Sequence, residues 1–173
     1  VSLSNRNRQI LATRSTLGLP KTEAAKRRVL DINEEAQVTT WELFYNADTA
    51  DRIDLGAYDY IVDAIDCVTT KILIAEWARD HGVPLIASMG TGNKLNPQQV
   101  TVKDIFATSG DGLARVMRKE LRARNIHHLK VVFSPEEAAE TEQLETPPPG
   151  RRSVPASNPW VPATAGLLLG SAV

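Results

Sequence analysis

The feature that most restricts the fold is the run Tyr58-Asp59-Tyr60-Ile61-Val62-Asp63-Ala64-Ile65-Asp66, almost continuously apolar and ending in acids. Such a run reads as a buried parallel strand whose carboxyl end opens on a site, the place where open α/β sheets bind ligands. Residues 69–81 then carry Ile72, Leu73, Ala75 and Ala78 at helical spacing, with Gly82 at the expected C′ position and Pro84 preventing any continuation. Residues 83–89 are a second buried strand. Strand, helix and strand in that order predict a right-handed βαβ crossover and a largely parallel sheet. Residues 37–41 and 129–133 add two short β runs. The expected class is α/β, a Rossmann-like, mainly parallel sheet with helices on both faces.

The remaining helices follow from periodicity. Pro20 suits the first position of a helix reaching about Asn33, with Ala25, Val29 and Ile32 as its apolar stripe and Glu23 and Arg27 as an i,i+4 pair. Residues 48–55 read as a short helix with Asp48 or Thr49 near its cap. Residues 111–125 place Leu113, Val116, Met117 and Leu121 on one side and Arg115, Arg118, Lys119 and Arg122 on the other. Arg124, His127, His128 and Lys130 extend that positive run, with Glu120 against it. Residues 136–158 are an acidic, then Pro-rich loop centred on Pro147-Pro148-Pro149-Gly150. A last apolar helix with small residues, fit to pack on the sheet or on a second subunit, follows residues 159–166.

A chain of 173 residues suffices for one such domain, so 1–173 is read as a single unit. Its net charge of −1 supplies no global attraction to nucleic acid, so binding of that kind needs a local patch such as the 111–125 helix. The one cysteine, Cys67, excludes an internal disulfide and a zinc site of paired Cys-x-x-Cys motifs. No apolar run approaches the ~20 residues that span a bilayer, and the amino terminus lacks a secretory pattern, so the chain is expected in the cytoplasm.

Two segments carry the chemistry. Ser4-Asn5-Arg6-Asn7-Arg8-Gln9 sets an amide and two guanidinium groups in one turn, which suits a polyanion because arginine grips phosphate oxygens in bidentate fashion. Asp63 and Asp66 place carboxylates where the strand stops, and Mg²⁺ prefers one or two carboxylates with phosphate oxygens and water. Asp66 is the favoured cation ligand; Asp63, inside the run, reads equally as a buried residue capping nearby backbone. Lys21 lies in a helical first turn, where backbone donors and the dipole already favour an anion. Gly90-Thr91-Gly92-Asn93 permits close backbone approach but is not the full G-x-G-x-x-G fingerprint.

In order and spacing, the 4–9 segment, residues 18–21, Asp31-Ile32-Asn33 and Asp63-Ala64-Ile65-Asp66 resemble the ubiquitin-activating-enzyme-like adenylyltransferases. Within that superfamily, Gly90-Thr91-Gly92-Asn93-Lys94-Leu95-Asn96-Pro97, the basic helix, Val131-Val132-Phe133-Ser134-Pro135-Glu136 and Pro162-Ala163-Thr164-Ala165-Gly166 resemble the tRNA threonylcarbamoyladenosine dehydratases. The resemblance covers almost the whole chain. It implies ATP-dependent dehydration of threonylcarbamoyladenosine beside the anticodon, by adenylation of its carboxylate and ring closure with loss of AMP. It also implies roles for side chains: Asn5 and Arg8 on the phosphates, Gln9 in support, Lys21 on the attacked phosphate region, and Asp66 on Mg²⁺. Arg8, Lys21 and Asp66 form the catalytic set. ATP binding adds Asn5, Gln9 and Cys67; Arg115, Arg118, Lys119 and Arg122 are the RNA candidates.

The same resemblance implies a homodimer, tRNA as partner, a cysteine desulfurase as a sulfur-mobilising partner, and no zinc. Cys67 reads as a structural residue packed like a small apolar side chain, with a thioester role as the alternative. Both ends read as cut: residues 1–4 as an exit from a strand and residues 165–173 as a helix that stops. The family's first βαβ unit, with its glycine-rich loop, ribose-binding acid and an arginine reaching the partner subunit, would precede Val1. Two alternatives therefore stay open: an adenylyltransferase acting on the carboxy-terminal Gly-Gly of a small carrier protein, and a binding fragment that turns nothing over.

Overall fold

The computed structural model describes residues 1–142, 146 and 154–173. It divides into two compact units, Val1–Phe44 and Tyr45–Val173, each taken by itself below. Among the described residues, no helix is long and apolar enough to cross a membrane.

The first unit holds two 3-10 turns, Leu3–Asn5 and Arg14–Thr16, and helix α1, Lys21–Ile32. Residues 1–4 run into the first of these turns, with Ser2 as its N-cap. Gly18, at φ 82°, reverses the chain so that its N–H donates to the Val1 carbonyl at 3.0 Å. Pro20 is the N-cap of α1, one position ahead of the expected place. The phase of α1 also differs from the expected stripe. Ala24 is buried, whereas Val29 is 41% exposed and Ile32 74%. A groove of about 350 Å³ against residues 10–16 is lined by Ala24, Arg27, Arg28 and Asp31, so a polar face of α1 meets the rest of its unit. Residues 37–41 join no ladder: β propensity needs a neighbouring strand to take its N–H and C=O groups, and among the described residues none pairs with this segment.

The second unit is built on a sheet in the order β1-β2-β4-β3, with β1 Ile61–Asp63, β2 Leu85–Ser88, β3 Thr101–Asp104 and β4 Lys130–Phe133. β1, β2 and β4 are parallel, in registers such as Val62↔Ile86 and Ala87↔Val131, and β3 is an antiparallel strand added beside β4. The long run 58–66 thus yields only three paired residues, because Asp63 turns the chain toward the next helix. Alternation along the strands divides the core. Ala87, Met89, Val131 and Phe133 face helices α2, Val68–His81, and α3, Gly112–Ala123. Ile86, Val100 and Val132 face Val161, Ala165 and Leu169 of α4, Trp160–Ser171. Helices therefore cover both faces, as the sequence pattern predicts.

Gly82, at φ 68°, closes α2 in the left-handed conformation that a C′ glycine takes without strain. The helix expected over 48–55 is replaced by 3-10 turns at Ala50–Arg52 and Leu55–Ala57. Side chains there compete with helical hydrogen bonds: Asn46 Oδ1 accepts from Asp48 N at 3.0 Å, and Asp54 Oδ1 from Gly56 N at 3.0 Å. The described part of 136–158 contains no helix or strand, while its Pro147-Pro148-Pro149-Gly150 centre lies outside the described residues.

Candidate nucleotide and metal site

In the first unit Asn5 is buried and organises its own turn. Its side-chain oxygen accepts from Ser2 N at 3.3 Å, and its carbonyl accepts from Arg8 N at 3.2 Å and Gln9 N at 2.9 Å. Arg8 is half-buried, its guanidinium donating to the Ser4 carbonyl at 3.0 Å and to Asn7 Oδ1 at 2.9 Å. Those bonds use one nitrogen, so the fork keeps donors for an anion. Asn5, Arg8 and Gln9 are thus gathered in one turn. Lys21 is exposed at the first position of α1, where unpaired backbone N–H groups already favour negative charge.

In the second unit the end of β1 is fixed by a pair invisible to sequence periodicity. Asp63 is 2% exposed, and its Oδ1 accepts from Ile65 N at 2.9 Å, the capping role expected of it. Its Oδ2 takes the Lys71 ammonium at 3.0 Å, with both side chains shut off from solvent. Burial pushes Lys71 down from the ordinary lysine value, against Asp63 and then Asp66, which hold it up. Lys71 escaped notice because an interior helical lysine is ordinarily a solvated one; only its eight-residue separation from Asp63 across the strand-to-helix turn hints at the pairing.

Asp66 is exposed on that turn, and Cys67 is the N-cap of α2. Cys67 does not pack as a small apolar residue, because its side chain is exposed. The neighbouring Thr70, through its backbone first and then its hydroxyl, draws the thiol below the usual value, opposed by burial and then by Asp66. Among the described residues no group of three or more His, Cys, Asp or Glu gathers into a metal cage. One hard, exposed carboxylate at Asp66 fits a hydrated Mg²⁺ that takes its other ligands from phosphate and water.

The 90–96 loop follows β2 and is more tightly held than its glycines suggest. Lys94 Nζ pairs with Asp111 Oδ2 at 2.8 Å and donates to the Ser134 carbonyl at 2.6 Å. Glu136 accepts from Leu95 N at 2.8 Å and Asn96 N at 3.0 Å, while Asn158 Nδ2 donates to the Lys94 carbonyl at 2.6 Å. Residues from three distant segments therefore fix one loop at the carboxyl end of the parallel strands.

Helix α3 separates its four basic candidates. Arg115 and Lys119 are exposed, and Arg122 is exposed with its guanidinium 5.0 Å from the Phe106 ring centroid. Arg118 is committed inward, donating to the Thr108 carbonyl at 3.1 Å and to its hydroxyl. Arg124 does not extend the positive run, since Glu120 at 2.7 Å and Glu76 at 3.4 Å neutralise it. Met117 and Leu121 lie in the core as expected, but Val116 is 42% exposed.

The ThiF family model matches residues 1–127. The chain is 35% identical, over 182 aligned residues covering all of it and 72% of the relative, to tRNA threonylcarbamoyladenosine dehydratase of Bacillus subtilis. It is 35% identical to the protein of that name from Escherichia coli over 123 residues, 71% of this chain and 46% of the relative. The crystal structure of the E. coli tRNA N6-threonylcarbamoyladenosine dehydratase in complex with ATP is similar, with a TM-score of 0.85 and 31% identity, across 99% of this chain and 69% of that one.

Proposed function

The chain belongs to the ThiF family, and from that premise we propose that it catalyses the ATP-dependent dehydration of threonylcarbamoyladenosine in tRNA. The observation that carries the reading is the 35% identity to the B. subtilis dehydratase along the entire chain. The substrate carboxylate attacks the α-phosphorus of ATP, pyrophosphate leaves, and an atom of the same threonylcarbamoyl group then displaces AMP to close a ring. Water is lost overall. In this sense the activation is ligase-type, with ATP cleaved to AMP and pyrophosphate.

Asn5 and Arg8 hold phosphate oxygens, Gln9 supports their turn, and Lys21 neutralises charge gathering at the attacked phosphorus. Asp66 holds Mg²⁺, which when bound offsets the triphosphate charge. Ring closure is intramolecular, so holding the acyl adenylate still supplies much of that step and no protein nucleophile is required. Arg115 and Lys119, with Arg122 at their edge, give tRNA phosphates a local positive face that the net charge of −1 does not provide. The working protein is a cytoplasmic homodimer, served by a sulfur-mobilising desulfurase.

One observation favours a second reading. The exposed Cys67, with its lowered thiol pKa, suits an adenylyltransferase that passes on the Gly-Gly end of a small carrier protein. Pyrophosphate release separates the two. The dehydratase reading expects stimulation by tRNA bearing the modification and loss of that stimulation in Asp66→Asn. Stimulation by a Gly-Gly-ended carrier and indifference to modified tRNA would overturn it.

A further inference from the structure

Two cavities meet at the short loop that joins α3 to β4. Asn125 turns the chain there at φ 56°, Ile126 and Leu129 are buried and hold the loop down, and His127 and His128 between those anchors are exposed. On one side an open cavity of about 510 Å³ is lined by the two histidines with Asp104, Phe106, Ala107 and Arg122. On the other, a groove of about 510 Å³ adds Arg79 and Lys130 to the same two histidines and has no acid in its lining. Lys130 begins β4 and pairs with Asp104 at the end of the antiparallel β3, so both cavities lie at the end of the sheet away from Asp63 and Asp66. Arg122 also belongs to the basic face of α3, which makes the first cavity continuous with that face.

The chemistry of the lining favours an unpaired nucleotide over a bare anion. The Arg122 guanidinium stands over the half-buried Phe106 ring at 5.0 Å from its centroid, and guanidinium planes and aromatic rings are the surfaces on which splayed RNA bases stack. His127 is exposed and has no hydrogen-bond or ion-pair partner among the described residues, and an imidazole can stack on a base or donate N–H to a phosphate oxygen. Asp104 repels a simple anion. Its carboxylate is fixed by Phe106 N at 2.8 Å and Leu129 N at 3.2 Å, with His128 Nδ1 at 3.6 Å, and its remaining acceptor capacity suits a ligand with donors, such as a base edge or a 2′-hydroxyl. In the neighbouring groove Lys130 bonds to neutral groups, the Ala172 carbonyl at 3.3 Å and the Tyr60 hydroxyl at 3.4 Å, and keeps its charge for a phosphate, whereas Arg79 is paired with Asp80 at 2.7 Å. We propose that an unpaired stretch of RNA crosses the His127-His128 loop, with one base in the cavity of Phe106 and Arg122 and the adjoining phosphates on the histidines and Lys130. The choice of RNA rests on the reading above in which tRNA is the substrate, and the contact falls on a part of it remote from the reacting adenosine.

The probes are a short single-stranded RNA and a duplex of the same sequence, each labelled and followed by fluorescence anisotropy with the full chain. His127→Ala/His128→Ala replaces exposed side chains and weakens binding of the single strand at least about fivefold, the lower end for loss of one stacked base, while the duplex is held as before. Phe106→Leu keeps most of the apolar volume and weakens the single strand in the same direction. Lys130→Gln lowers the slope of log affinity against log salt by roughly one. A single strand carrying 4-thiouridine crosslinks on irradiation to Phe106 or to the segment 122–130, located by mass spectrometry. Unchanged single-strand affinity in the folded double-histidine variant, an equal loss for the duplex, or crosslinks confined to other segments overturns the proposal. So does a wild-type chain that binds neither probe. A chain that binds the single strand through this loop, while modified tRNA stimulates no pyrophosphate release, keeps the proposal and overturns the dehydratase reading instead.

Discussion

Lys94 and Asp111 form a buried ion pair at 2.8 Å, and the same carboxylate uses its other oxygen to accept from Ala114 N at 2.6 Å at the start of α3. One side chain therefore couples the loop after β2 to the N-terminus of the basic helix. Removing one partner of such a pair leaves a charge without compensation. Lys94→Met is expected to destabilise the chain by about 3–5 kcal/mol. Asp111→Asn should cost less, because asparagine caps a helix as well as aspartate and Lys94 keeps the Ser134 carbonyl. Urea unfolding checks both, read as a fall in midpoint at constant slope; equal midpoints for Lys94→Met and wild type would disprove the coupling.

Gly110 and Gly112 flank Asp111 and should respond in opposite ways. A Cβ at Gly110 would stand 2.1 Å from the Pro135 carbonyl oxygen, and its φ of 70° disfavours any other residue. Gly110→Ala is therefore expected to cost about 2 kcal/mol or more. A Cβ at Gly112 meets nothing within 4 Å, and the residue sits in helix α3. Gly112→Ala should be neutral or stabilise by roughly 0.5–1 kcal/mol, through the narrower unfolded ensemble. Thermal unfolding of the two variants side by side decides the matter, and similar shifts of the same sign would contradict the geometry.

Cys67 gives a pH-dependent signature. Thr70 stabilises the thiolate, so the folded thiol loses its proton below the ordinary cysteine range. The folded state therefore gains from ionised Cys67 above the ordinary thiol pKa, and the gain disappears as pH falls through the lowered value. Because thiolate is the reactive form, alkylation by iodoacetamide should reach half its maximal rate at lower pH than for an unstructured thiol. Thr70→Val should move that midpoint upward by the hydroxyl's share; an unchanged midpoint would show that the hydroxyl does not act on the sulfur and leave the Thr70 backbone as its neighbour of consequence.

How far the sequence reveals this fold depends on whether a signal is local. β1, β2, β4 and helices α2 and α3 announce themselves because burial on a two-sided sheet forces apolar runs and a 3.6-residue stripe. Residues 37–41 carry the same β composition, yet pairing is decided by a neighbour that the segment itself does not encode. β3 is the reverse case, a four-residue edge strand whose register with β4 comes from the tertiary fold. Ile32 and Val116 match an apolar stripe and still face outward, since periodicity fixes spacing and not the side from which the rest of the protein approaches. At the site, the turn-forming residues from Asn5 to Gln9 and the acids at 63 and 66 are legible from charge and position. The Lys71 and Lys94 pairs are not, because each joins residues far enough apart in sequence that only the folded chain defines the contact.

The basic helix offers the most discriminating test of RNA binding, because its four cations have different structural duties. Arg115 and Lys119 touch solvent, so their replacement by alanine should leave stability within about 0.5 kcal/mol of wild type. If they meet phosphates, each loss weakens tRNA binding and lowers the slope of log affinity against log salt by roughly one. Arg118 is held by Thr108, so Arg118→Ala should lower the unfolding midpoint and change the salt slope little. Arg122 lies between these cases, exposed but stacked on Phe106. Filter-binding at several salt concentrations, paired with thermal unfolding of the same four variants, separates charge from support. A salt slope unchanged in Arg115→Ala/Lys119→Ala would remove α3 from the RNA-binding surface and leave its positive side as a solvated helix face.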